Sequence, residues 1–307
     1  MLEFIGGVYS AVSQIMDLNW HTLPARPRLS YFKDDHILLI ETCSDIHEAP
    51  FGYLGQELFG FLLGFTHNQR ALSTTLSMNF ELGSIIPDMS IRTVAVTRGH
   101  LGHRKVHVIG ECAFAQDTDS VLCKIKEEIA ERPEILMAIM VVIDEHHPYH
   151  SPERMSEAWQ MLRHETSARS PSSFHSLQGD PARSHDKHIV IAGHTWCHLA
   201  SVQFHVWVRG DEPINVDDTN NELLARGTLF PNQDMDEVEA MIKKGMEMTQ
   251  DCLANFSQKV APGGDISALR NSNASLTFYW HHLLASLAVA VEDTAYARYC
   301  SWYNSYT

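Results

Sequence analysis

The sequence predicts an α/β protein with a mixed central sheet flanked by helices, and three stretches carry that expectation. "EILMAIMVVID" (134–144) is a continuous apolar run of strand length, which suits a strand buried on both faces of a sheet. Before it, "DTDSVLCKIKEEIAERP" (117–133) opens with Asp and Thr as cap candidates, places apolar residues at 121, 122, 125 and 129, and stops at Pro133: an amphipathic helix. Earlier still, "ELGSIIPDMSIRTVAVT" and "RKVHVIGECAFA" are rich in Val and Ile and flank a turn near Gly99 to Gly102, the pattern of an antiparallel hairpin. With a helix ahead of the hairpin, the order becomes helix, strand, strand, helix, strand, which is an α/β core.

The remaining elements follow along the chain. "RLSYFKDDHILLIETC" (28–43) reads as two short strands around Lys33, Asp34 and Asp35. "PFGYLGQELFGFLLGFT" (50–66) is apolar all round, as a buried helix is. "SPERMSEAWQMLRHE" predicts another helix, and 165–187, rich in Ser, Pro, Arg and His, a flexible loop. "HIVIAGHTW" and "ASVQFHVWVR" predict a further strand pair, with Val202, Phe204, Val206 and Val208 on one face and Gln203, His205 and Trp207 on the other. Residues 235–256 predict an amphipathic helix and 274–300 a mostly buried terminal one, in which one of His281 and His282 is buried and the other exposed. The organisation expected is one extended domain over 1–307. Its core spans 28–150, and 188–307 complete it beyond the loop.

Composition narrows the function classes. With 44% hydrophobic and 20% charged residues in 307, the composition is that of an ordinary globular protein and argues against global disorder and a fibrous repeat. A net charge of -15 argues against tight non-specific nucleic-acid binding, which needs Lys and Arg to neutralise phosphates. The N-terminus lacks a basic n-region, and the most apolar stretch, 274–291, contains His281 and His282; an intracellular protein, cytoplasmic or nuclear, with no membrane partner is expected. Six scattered cysteines without a CxxC pair predict reduced, mostly buried thiols. No GxGxxG, GxxxxGK[ST] or GxSxG occurs, so dinucleotide, P-loop and α/β-hydrolase chemistry lack their signatures.

The chemistry-bearing feature is Asp88, a carboxylate behind Pro87 in the apolar stretch "GSIIPDMSIRTV". The neighbouring strand offers Glu111, 111 − 88 = 23 residues later, so a hairpin can set the two side by side. Two close carboxylates repel unless a divalent cation neutralises them, and oxygen donors suit Mg²⁺ or Mn²⁺. The plainer alternatives are an Asp88 that caps a turn and a Glu111 salt-bridged to Lys105 or Arg104.

"IIPDMS" followed by "VIGECAFAQ" resembles the Pro-Asp and Glu-x-Lys pattern of the PD-(D/E)XK nuclease-like superfamily, most narrowly its fungal-type members. The resemblance covers roughly 28–150. It implies an α-β-β-β-α-β core of the restriction-endonuclease type, a Mg²⁺ site and hydrolysis of phosphodiesters. It also implies metal ligation by Asp88 and Glu111, joined by Glu57 from the first helix. The motif lysine is Ala113 here. Three outcomes stay open: Gln116 substitutes for it, Lys124 or Lys126 reaches in from the following helix, or the site is inactive. The basic loop "TRGHLGHRKVH" (97–107), with Arg98, Arg104 and Lys105, could touch a nucleic-acid backbone, or be a solvated turn. Two histidine-rich spots, Asp144, His146, His147 and His150, and His194, Cys197 and His198, invite a zinc reading without the paired spacing of a structural site. Beside the hydrolase stand two alternatives: an inactive scaffold or binding protein of the same fold, and the fold recruited for small-molecule chemistry in a pocket of histidines and aromatics.

Overall fold

The computed structural model describes residues 28–32, 37–41, 43–66, 72–78, 86–97, 100–114, 117–165, 167–178, 188–219, 222–262, 265–270 and 275–305. Strands β1 (Arg28–Phe32) and β2 (Ile37–Glu41) form their own antiparallel ribbon. Helix α1 (Asp45–Thr66) follows. It begins five residues before the expected start at Pro50, because Asp45 and Glu48 complement the positive end of the helix dipole and Ile46 and Phe51 are fully buried on either side of the proline.

A seven-stranded mixed sheet forms the centre of the fold. Its strands are β3 (Leu72–Met78), β4 (Met89–Thr97), β5 (His100–Phe114), β6 (Met137–Glu145), β7 (His188–Ile191), β8 (His194–Val208) and β9 (Leu224–Phe230). The spatial order is β3-β4-β5-β6-β8-β7, with β9 also on β8. β3, β4 and β5 are antiparallel neighbours; β5 and β6 run parallel through the crossover helix α2 (Thr118–Glu131). β6 is apolar from Met137 to Ile143 because both faces of that stretch are covered, as the run 134–144 implied; Asp144 and Glu145 end it. β8 alternates as expected: Val202, Phe204, Val206 and Val208 fill one core, and Trp207 the other. Ala192 (φ 51°) and Gly193 (φ 68°) join β7 to β8 in a two-residue turn that needs positive φ at both positions.

Two cores lie on opposite faces of the sheet. The larger is closed by α1, α5 (Asp236–Val260) and α7 (Trp280–Asn304), with α1 packed on α7; the smaller is closed by α2 through Val121, Ile125 and Ile129. Several expectations need correction. The helix foreseen over 151–165 is only α3 (Glu157–Leu162), started by Ser156, whose hydroxyl accepts from Trp159 N–H at 3.2 Å. Within the foreseen flexible loop, α4 (Pro171–His175) is capped by Ser170 and pinned by Phe174, which stacks on Tyr299 at 4.5 Å between ring centres; 179–187 lie outside the described residues. The short α6 (Ser267–Arg270) precedes α7. His281 and His282 are both exposed, since Trp280 and Leu283 take the buried face of α7. All six cysteines are free thiols, yet only Cys112 and Cys197 are buried and Cys123 is exposed. No described helix is long and apolar enough to cross a membrane.

Candidate functional site

Asp88 and Glu111 converge. The β4–β5 register pairs Met89 with Gly110, so one further step sets Asp88 beside Glu111. Asp88 accepts a 2.6 Å hydrogen bond from the backbone N–H of Cys112 and is only 1% exposed, so it does not cap a solvated turn. Gly110 permits this assembly, for a Cβ there would sit 2.3 Å from Cε1 of Phe51 on α1. Glu111 shares its strand face with Ile109 and Ala113, toward α2.

The cation beside Glu111 is neither Lys105 nor Arg104. It is Lys124, fully buried on α2, with Nζ 2.9 Å from Glu111 Oε2. A helical turn later Glu128, also fully buried, brings its carboxyl within hydrogen-bonding reach of Glu111. On the other flank, His47 Nε2 of α1 lies 3.3 Å from Asp88 Oδ2. Burial first, then the charge of Asp88, push the Glu111 carboxyl well above its ordinary range; Lys124 opposes the shift and Glu128 adds to it. Burial raises the Cys112 thiol as well, helped by Asp88 and Glu111. The cluster thus holds three buried carboxylates, Asp88, Glu111 and Glu128, against one lysine and one histidine. Such a set retains a proton or attracts a cation.

The other expected site residues lie elsewhere. Glu57 is on α1 ten residues beyond His47, about 15 Å along the helix axis, and its charge acts on the Tyr53 hydroxyl. The structure therefore does not bring it to Asp88 and Glu111. Gln116 and Arg98 lie outside the described residues. Lys126 is exposed and pairs with Asp217 at 2.7 Å, a surface contact. Arg104 is exposed, but Lys105 turns toward α5, with Nζ 3.8 Å from Cys252 Sγ and 5.7 Å from the Phe256 ring centre.

The two histidine-rich spots also meet, because β6 and β8 pair and His146 N–H donates to His198 O at 3.0 Å. A cavity of about 260 Å³ opens between His147, His150, His194, His198, Tyr149 and Trp196. The ion pair of Glu145 and Arg298 also lines it. Burial lowers the pKa of His194, opposed in part by a backbone contact with His150. Among the described residues, however, the metal-capable group with donors drawn within 4.8 Å of one another is not here: it is Cys43, His47 and Glu48. Sequence reasoning missed His47, Glu48 and Glu128. For Glu128 the signal was present: Lys124 and Glu128 fall in phase with Val121 and Ile125 on the buried stripe of α2.

No family model, curated protein or solved structure matches the chain. The reading of the site therefore rests on its own chemistry.

Proposed function

We propose that the chain is a metal-dependent phosphodiester hydrolase of the nuclease-like kind. The observation that carries this reading is the convergence of Asp88, Glu111 and Lys124 in one buried cluster with a surplus of carboxylate. Three further features support it. Helix α1, strands β3, β4 and β5, helix α2 and strand β6 follow one another in the α-β-β-β-α-β order that the resemblance implies. Lys124 supplies, from the helix, the cation that Ala113 withholds from the strand. Glu111 Oε1 is buried without a hydrogen-bond donor, and the nearby Glu128 carboxyl offers none when ionised, so a cation fits there.

In this reading Asp88 and Glu111 hold Mg²⁺ or Mn²⁺. When bound, that ion makes water acidic enough to attack phosphorus and stabilises the leaving oxygen. The Lys124 ammonium orients the attacking water and offsets charge on the phosphoryl oxygens. The net charge of -15 and the diversion of Lys105 favour a short phosphodiester over a long duplex as substrate.

A second reading, an inactive scaffold of the same fold, is favoured by one observation: Asp88, Glu111, Lys124 and Glu128 are all at most 1% exposed. Calorimetry with Mg²⁺ and Mn²⁺ separates the two. The hydrolase predicts heat for the wild type and none for Asp88→Ala, followed by cleavage of a phosphodiester substrate that Glu111→Gln abolishes. Heat without cleavage supports the scaffold, and no heat in either protein rejects the metal site.

A further inference from the structure

We infer that Cys43, His47 and Glu48 form a zinc site at the start of α1, distinct from the oxygen-donor site of Asp88 and Glu111. The three side chains offer Sγ, an imidazole nitrogen and a carboxylate oxygen, with the donor atoms all within 4.8 Å of one another. A tetrahedral zinc sets its donors roughly 3–4 Å apart. His47 Nδ1 and Glu48 Oε1, at 3.9 Å, already meet that spacing.

His47 supplies the independent observation. It is 5% exposed, and its Nδ1 is buried with no hydrogen-bond partner. A lone imidazole nitrogen left dry costs free energy. Its other nitrogen explains the orientation: Nε2 lies 3.3 Å from Asp88 Oδ2. With the ring proton on Nε2, beside the Asp88 carboxylate, Nδ1 would present its lone pair to a metal. Carboxylate, histidine and metal in that order is how ligating imidazoles are held, the outer carboxylate fixing the tautomer and raising the donor strength of the ring. Asp88 is thus a positioning residue for this site.

The donor set selects the ion. One thiolate, one imidazole and one carboxylate suit Zn²⁺ and disfavour Mg²⁺, which prefers oxygen donors in octahedral geometry. Three protein ligands leave the fourth tetrahedral position to water, the pattern of zinc sites that stay open to exchange.

The full-length chain is titrated with Zn²⁺ against a competing chelator, and with Co²⁺ as a spectroscopic probe. Expected are one zinc per chain and a thiolate-to-cobalt charge-transfer absorption. Cys43→Ser removes that absorption, and both Cys43→Ser and Glu48→Gln weaken zinc by at least about tenfold, the lower end of what even outer partners contribute. Zinc also raises the Tm of the wild type and not that of Cys43→Ser, a readout independent of any loss of stability in the variant. Equal zinc affinity in wild type and Cys43→Ser, no thiolate band in the wild type, or a band that survives Cys43→Ser and disappears in Cys112→Ser overturns the assignment. Mg²⁺ heats retained by Cys43→Ser and lost by Asp88→Ala keep the outcome separate from that of the hydrolase reading.

Discussion

Two ion pairs flank the central sheet, one partly buried and one fully buried, and they differ most in their balance of charge. Arg298 of α7 meets Glu145 at the end of β6 with two nitrogens, each 2.7 Å from a carboxylate oxygen, and gives a further donor to Trp196 O at 2.9 Å. Its Cζ lies 4.6 Å from the Tyr149 ring centre. Every charge there has its opposite. Lys124 and Glu111 start from a comparable contact at 2.9 Å, but Asp88 and Glu128 crowd the same carboxylate and leave it in excess. A balanced pair joins two elements and asks for nothing more. An unbalanced one stores a demand for a proton or a cation, which is why the second cluster, and not the better-formed first, is the candidate for chemistry.

The largest effect expected is for Lys124→Met, which strands Glu111 among acidic neighbours. It should cost about 3–5 kcal/mol in urea unfolding at pH 7, the range for a buried pair broken on one side. Arg298→Met should cost about 3 kcal/mol for the same reason. Here the comparison sharpens: adding Glu145→Leu to Arg298→Met should recover most of the loss, whereas adding Glu111→Leu to Lys124→Met should not, since Glu128 and Asp88 remain. Equal recovery in both double variants would remove the distinction drawn between the two pairs.

A smaller effect is read along pH. The folded state raises the Glu111 pKa above its ordinary 4.5, so folding binds its proton more tightly than the unfolded chain does. The stability this contributes is complete below about pH 4.5 and erodes as pH climbs through the folded value. Glu111→Gln removes the erosion, so the stability difference between variant and wild type should move in favour of the variant from pH 5 to pH 8. Saturating Mg²⁺ should oppose the trend in the wild type alone. The smallest effect is that of Lys126→Ala, two residues from Lys124 but on the solvated face, at well under 1 kcal/mol.

Much of the fold was legible because period and punctuation agree with burial. The alternation of β8, the apolar length of β6 and the stripe of α2 each report a face that the structure covers. Strand β3, "LSTTLSM", was not read, because Ser and Thr dilute its hydrophobicity; nor was β9, where Arg226 and Gly227 interrupt the pattern. For the site, Asp88 and Glu111 were legible from the hairpin, and Lys124 stood among the candidates. Its burial was not anticipated, because a lysine on an amphipathic helix is usually solvated. Glu57 was carried over by resemblance, and it stands ten residues beyond His47 on α1. The turn that faces Asp88 holds His47, whose role depends on contacts from two other elements and leaves no local mark in the sequence.

Phe51 has a consequence beyond packing. Its ring rests against Gly110, where even a methyl group would collide with it, so the gap between α1 and β5 is gauged by the thickness of one aromatic plane. Upstream by a single turn on that helix is His47, and next along that strand is Glu111. The phenyl group therefore works as a shim: widen it or displace it, and donors borne by the helix drift out of calliper from acids borne by the sheet.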